Sequence, residues 1–418
     1  MVKAVATAVV TTLAMTVLAM AQDAAQSIGP RLLQDAAVKA AVEAIRADEP
    51  RTLDDQVRIC EVEAPPFQES KRGEMYAHLL REAGLTNVRT DKEGNVLGEL
   101  TGAQPRPHLV FAAHLDTVFP EGTPVRVTRE GTLMRGPGIG DDCRGLAVVL
   151  AVARTMVKSG LKVPGTITFV GNVGEEGLGD LRGVKYLFNE GMKGRIDRFV
   201  SIDGTGYGIT HVAVGSLRYR VTFKGPGGHS FGAFGRSNPI HALGRAVSAI
   251  SNFEVPIEPK TTFNVGRIGG GTSVNSIPFE AWMEVDMRSS DPASLQSVDA
   301  RFNKAVDDAV RDEDARWNQR MLTVDKALVG NRPAGRTAAD SPIVRAAVSV
   351  TEVLGLPVSL DEGSTDSNLP MSLGIPAITI DGGGRGTDAH ALSEAFDSTD
   401  SWKGTQRALL IAIALAQP

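Results

Sequence analysis

The chain has 418 residues, more than one hydrophobic core ordinarily holds, so two domains are expected. Its hydrophobic content of 42% is that of an ordinary soluble protein, and 45 glycines suit many tight loops. The formal charge of −5, which becomes −6 if Lys3 leaves with the leader described next, argues against a nucleic-acid polyanion as partner.

Residues 1–21 carry one cation, Lys3, then an apolar run and Ala19-Met20-Ala21. That is the charged, apolar and small-x-small order of a secretory signal peptide, with Gln22 opening the mature chain. An uncleaved anchor is the alternative, but the run is short and holds Thr7, Thr11, Thr12 and Thr16. The expectation is an exported protein, periplasmic or secreted, with no stable membrane insertion once the leader is cleaved. The two cysteines, Cys60 and Cys143, are read as free buried thiols, although spacing alone does not exclude a bridge.

Helical periodicity runs over Leu32 to Ile45 and Arg72 to Ala83, on either side of the turn-rich Glu63-Ala64-Pro65-Pro66. From about residue 87 to 213 strands alternate with helices, as βαβ units do, which implies a mostly parallel sheet flanked by helices. The apolar strand Leu109 to Ala113 runs into His114-Leu115-Asp116. Gly136 to Gly140 leads to Asp141-Asp142 and a helix from Gly145 to Lys158. A phosphate-loop reading fails there, because acids stand where a phosphate would need positive charge. Asp142 suits a helix N-cap, leaving Asp141 for chemistry. Strand Thr166 to Val173 runs into Glu175-Glu176, and strand Phe199 to Ile202 ends on Asp203. Adjacent side chains on extended backbone diverge, so one glutamate can bind a cation while the other faces a substrate.

Near Gly215 the pattern changes. Leu217 to Phe223 alternates like a half-exposed antiparallel strand. A helix (Pro239 to Ile250), strands (Thr262 to Ile268 and Ala281 to Met287), a helix (Leu295 to about Trp317) and a strand (Thr323 to Val329) follow. The order β-α-β-β-α-β is the ferredoxin-like split unit. The parallel pattern resumes with the helix Pro342 to Leu354 and the strand Ala377 to Ile380. The reading is an α/β catalytic domain, 22–214 and 331–418, interrupted by a smaller α+β domain at 215–330.

Strands that finish on His, Glu and Asp gather donors at one sheet edge, where open α/β sheets bind ligands. So many carboxylates repel one another unless cations sit among them, which points to a metal site, and to two ions rather than one. Singly the motifs are weak: His114 beside an acid or Glu175-Glu176 in a loop is more often surface chemistry, and His390 reads as a polar loop residue.

In this order and spacing, together with Ala64-Pro65-Pro66-Phe67, they resemble the dinuclear zinc peptidases that include peptidase T, carboxypeptidase G, aminoacylase and succinyl-diaminopimelate desuccinylase. The resemblance spans nearly the whole mature chain. It implies one metal on His114, Asp141 and Asp203, and a second on Asp141, Glu176 and His390. Zinc is the first expectation, with cobalt and manganese as alternatives. It further implies that Asp116 orients His114 and that Glu175 is the general base. The inserted domain resembles that family's lid and dimerisation domain, which implies a homodimer. In it His229 would stabilise an oxyanion, while Asn275 and Arg288 bind substrate. Ser364-Thr365-Asp366-Ser367-Asn368, Thr365 above all, and Arg385 are expected to line the pocket. His78, His108, His211 and His241 match no motif.

Two positions depart from many relatives: Cys143 stands where Lys is common, and Asp203 stands where carboxypeptidases and deacylases tend to have Glu. Asp203 resembles the aminopeptidase and dipeptidase branch. The expected activity is therefore an exported exopeptidase acting on short peptides, aminopeptidase- or di/tripeptidase-like. An N-acyl-amino-acid amidohydrolase or carboxypeptidase is the alternative. A non-catalytic binding protein would have lost a ligand or Glu175, and all are present.

Overall fold

The structure is a computed structural model that describes residues 27–418, so the leader at 1–21 lies outside the described residues. A short helix at Ile28–Leu32 is followed by helices α1 (Ala36–Ala47), α2 (Glu49–Cys60) and α3 (Ser70–Glu82). They are followed by strands β1 (Thr86–Thr90), β2 (Val96–Leu100) and β3 (His108–His114), then helix α4 (Cys143–Lys158). Next come β4 (Thr166–Asn172), β5 (Arg198–Ile202), β6 (Gly208–Ala213) and β7 (Gly215–Lys224). Then follow α5 (Pro239–Ser251), β8 (Thr261–Gly270), β9 (Glu280–Ser289), α6 (Pro292–Arg316) and β10 (Thr323–Arg332). The chain closes with α7 (Pro342–Val353), β11 (Ala377–Ile380) and α8 (Trp402–Leu415).

The chain forms two compact units, one comprising the described residues up to Val212 with Arg336–Pro418, the other Ala213–Gly335. The nine-stranded sheet of the first runs β1-β2-β4-β3-β5-β11-β6, with the short strands Gly335–Arg336 and Ser359–Gly363 also pairing with β6. Its centre, β4-β3-β5-β11, is parallel, while β1, β2 and β6 pair antiparallel at the flanks. The central strands are buried along almost their whole length, which is why they read as continuous apolar runs. Register places His114 beside Asn172 and Ile202 beside Ile380, so the four strands end along one edge.

Helix α4 packs on α2, α8 and β3, and is buried from Cys143 to Met156. Asp142 caps it by accepting Gly145 N–H at 3.0 Å. A Cβ on Gly145 would come within 2.4 Å of the Ile202 carbonyl, so only glycine lets the helix start this close to the end of β5. Buried Arg144 donates to the carbonyls of Gly382 (2.9 Å) and Ser401 (2.7 Å), tying the helix start to the loop after β11. Cys60 and Cys143 are free and buried.

Helix α2 goes beyond the sequence reading. Pro50 looks like a breaker after Ile45, but it stands in the first turn of a new helix, where its missing N–H costs nothing. Likewise α1 begins at Ala36, later than Leu32, because Asp35 accepts from Ala37 and Val38 N–H and sets its start.

The second unit is a four-stranded antiparallel sheet in the order β8-β9-β7-β10, with α5 and α6 packed against it. This is the ferredoxin-like arrangement. Strict alternation on β9 buries Ala281, Met283, Val285 and Met287, and leaves Trp282, Glu284, Asp286 and Arg288 on the opposite face. Among the described residues no helix is long and apolar enough to cross a membrane.

Candidate metal centre

The edge where β3, β4 and β5 end gathers the candidate ligands. Asp141 joins them from the glycine-rich loop before α4, through a cis peptide bond to Asp142. His390 comes from the loop after β11. Asp141 Oδ1 lies 3.0 Å from His114 Nε2, and its Oδ2 lies 3.0 Å from His390 Nε2. Glu176 Oε1 is also 3.0 Å from His390 Nε2. Donor atoms of His114, Asp141 and Asp203 fall within 4.8 Å of one another, as do those of Asp141, Glu176 and His390. A further group of the same kind contains His114, Glu175 and Glu176.

This geometry fits cations better than hydrogen bonds. One imidazole nitrogen carries either one proton or one lone pair, yet His390 Nε2 faces two carboxylate oxygens at equal distance. Convergent carboxylate and imidazole donors of this kind suit borderline divalent metals.

The electrostatics agree. Burial, then the neighbouring Asp141 and Glu175, push Glu176 up to about 7. Burial and Asp141 push Asp203 well above the carboxylate range. The hydrogen bond to Asp141, and Glu176 beside it, raise His390 to about 9. Burial opposes charge on His114, but its contacts with Asp116 and Asp141 hold its pKa well above the ordinary value. Protons on both imidazoles offset the acids, and a divalent cation would replace those protons.

Asp116 meets His114 Nδ1 through its backbone carbonyl as well as its carboxylate. The His114 Nδ1–H bond goes to the Asp116 backbone carbonyl at 3.1 Å, while the carboxylate is 3.6 Å away. That carboxylate also accepts the N–H groups of Glu175 (3.1 Å) and Glu176 (2.8 Å). The carbonyl fixes the His114 tautomer with Nε2 facing Asp141, and the carboxylate holds the glutamate pair. Asp142, besides capping α4, accepts His114 N–H at 3.0 Å.

Thr365 Oγ1 is 2.7 Å from Thr379 Oγ1, so that hydroxyl is engaged within the first unit. Arg385 is exposed on a short strand opposite Asp397. Two further buried acids stand here: Asp366, within the stretch expected to line the pocket, and Glu394, which the sequence reading does not reach. Asp366 accepts from Asn172 Nδ2 at 2.7 Å, and burial with the nearby Glu175 charge raises it to about 7. Glu394 contacts the Asp141 loop. Asp366 is reachable as part of Ser364 to Asn368, whereas nothing local in the sequence marks Glu394.

In the second unit His229 sits on a two-residue strand opposite Ser276. Its Nδ1 accepts N–H from Phe231 (3.3 Å) and Gly232 (3.2 Å), so the neutral ring carries its proton on Nε2. Asn275 is next to it, its carbonyl accepting Ser230 N–H at 2.9 Å. Arg288 Nε donates to Asp286 at 2.7 Å, and Asp286 also binds Arg218 at 2.9 Å.

Comparison with known proteins adds four results. The family described as Peptidase family M20/M25/M40 matches residues 110–413. Carboxypeptidase G2 of Pseudomonas sp. (strain RS-16) is 27% identical over 321 residues, covering 72% of this chain and 72% of its own. Among solved structures, aminopeptidase PepT of Bacillus cereus superposes with a TM-score of 0.70 at 20% identity, over 88% of this chain and 99% of its own. The YxeP protein of Bacillus subtilis, described as a dinuclear metal binding peptidase, gives 0.65 at 17% identity, over 89% and 100%.

Proposed function

The chain belongs to peptidase family M20/M25/M40, hydrolases of peptide and amide bonds, and on that premise we propose that it is an exported exopeptidase of short peptides with a free amino terminus. The observation that carries the hydrolytic reading is Asp141, whose two oxygens each meet a different imidazole, one in each candidate ligand group. Zinc is the proposed native metal, on His114, Asp141 and Asp203 and on Asp141, Glu176 and His390. When bound, such a pair of ions polarises the scissile carbonyl and lowers the pKa of a water from 15.7 toward about 7.

The chain's own groups then carry the proton. Glu175, fixed through its N–H by Asp116, takes the water's proton and returns it to the leaving amine. His229 offers its Nε2–H to the oxyanion, a donor already oriented by the two bonds at Nδ1. Asn275 and Arg288 bind the substrate's polar groups, with Arg288 suited to a carboxylate. Thr365 and Arg385 line the substrate site.

Support for the aminopeptidase branch comes from Asp203 at the third ligand position and from the fold shared with PepT. The second reading is an N-acyl-amino-acid amidohydrolase or carboxypeptidase, favoured by Arg288 and by the likeness to carboxypeptidase G2. Turnover of a free tripeptide against its N-acetylated form separates them: the proposal expects the free peptide to be preferred, and preference for the acylated form would select the second reading.

Export rests on the leader pattern of residues 1–21, and recovery of mature protein starting at Gln22 outside the cytoplasm would test it. A homodimer through the second unit is proposed from the open edge strand β8 and the exposed Ile268 on it. Sedimentation at a single-chain mass would refute it.

A further inference from the structure

We infer that Glu394 is a positioning residue that fixes the second metal position, Asp141–Glu176–His390, relative to the first. The inference rests on the dinuclear reading. Two of the three donors of the first position are held by regular structure, because His114 ends β3 and Asp203 directly follows β5, and only the shared Asp141 comes from a loop. The second depends on loops. His390 has a positive φ of 68° and a half-exposed ring, and no strand carries it.

What ties its loop to Asp141 is Glu394. Its backbone carbonyl accepts Gly136 N–H at 3.0 Å. Its Oε2 accepts Gly138 N–H at 2.8 Å, and its Oε1 accepts Gly140 N–H at 2.8 Å and Asp141 N–H at 3.0 Å. The segment from His390 to Glu394 is itself folded on Asp388, whose carbonyl accepts Ala391 N–H, while Glu394 N–H bonds the Ala391 carbonyl. One buried side chain thus clips the loop of the shared ligand to the loop of His390. Three N–H donors on a carboxylate make charge-assisted bonds, stronger and more directional than neutral ones. Gly138 and Gly140 bring their N–H groups close, and a Cβ on Gly140 would lie 3.2 Å from Glu394 Oε1.

The test is calorimetric titration of the metal-free full chain with Zn²⁺, with Co²⁺ absorption as a second readout of ligand geometry. Glu394→Gln keeps the shape but turns an NH₂ toward at least one N–H donor. It should weaken the second ion by roughly 10–100-fold and the first by less than about threefold, since outer-shell partners of ligands carry effects of that size. Gly140→Ala keeps the carboxylate but crowds it, should show the same selective loss, and decides the matter if Glu394→Gln fails to fold. Unchanged affinity for the second ion, or equal weakening of both ions, overturns the inference. A wild-type chain that takes fewer than two ions would instead overturn the dinuclear reading itself.

Discussion

Asp116 Oδ1 accepts the backbone N–H of Glu175 at 3.1 Å, so a residue two places beyond the proposed ligand His114 holds the proposed base in place. The same carboxylate takes Glu176 N–H at 2.8 Å. Burial works against its charge, but His114 and these N–H donors keep its pKa below the ordinary aspartate value. Asp116→Ala should therefore lower kcat/KM by roughly 10–100-fold, the size expected for a partner that orients ligands. Asp116→Asn, which keeps one acceptor oxygen, should lose less. Equal loss in both would point to the charge rather than the bonds.

Glu175→Ala separates metal binding from proton transfer. The proposed ligands His114, Asp141, Glu176, Asp203 and His390 remain, so metal content should stay at the wild-type level. Hydrolysis should fall by about 10²–10⁴-fold, the contribution of a positioned base. Undiminished turnover would remove the base assignment.

His229 is tested in the same way. Loss of its preset Nε2–H donor in His229→Ala should cost roughly 10²–10³ in kcat, the effect of deleting one oxyanion donor. KM and metal content should move little. A loss confined to KM would make His229 a binding residue instead.

Much of this site is legible in the sequence because the fold is repetitive where it matters. Parallel strands buried on both faces are continuous apolar runs, and such a run ending in His114 or Asp203 announces a sheet edge. Asp141 is legible from the glycines before it and the helix after it. His390 is not: its loop has no periodicity, and only resemblance marks it. Glu394 is harder still, because its bonds to Gly138, Gly140 and Asp141 join positions more than 250 residues apart. The sequence places Asp116 beside His114, but its bonds to the N–H groups of Glu175 and Glu176, at the end of another strand, have no local signal.

The acids and imidazoles also predict how the metal-free protein responds to pH. His390 rises from 6.5 to about 9 through its bond to Asp141. Burial lifts Glu176 from 4.5 to about 7 and Asp366 from 3.8 to about 7. All three bind protons more tightly folded than unfolded, so unfolding free energy falls as pH rises. The two acids stabilise fully below their unfolded values and lose this through about pH 7. His390 stabilises below 6.5 and loses it through about pH 9. In EDTA, the Tm should decline from about pH 5 to 9, whereas added Zn²⁺, which needs deprotonated ligands, should raise the Tm more at higher pH. A zinc-induced shift that shrinks with rising pH would contradict this.

The central claim is tested most directly by counting metal. Dialysed wild-type protein should hold two divalent ions per chain by elemental analysis, the number implied by the two ligand groups that share Asp141. Asp141→Ala should release both, since each group loses a ligand and the remaining acids lose the bridge between them. Two ions retained without Asp141, or a wild-type chain that holds none after zinc loading, would contradict it.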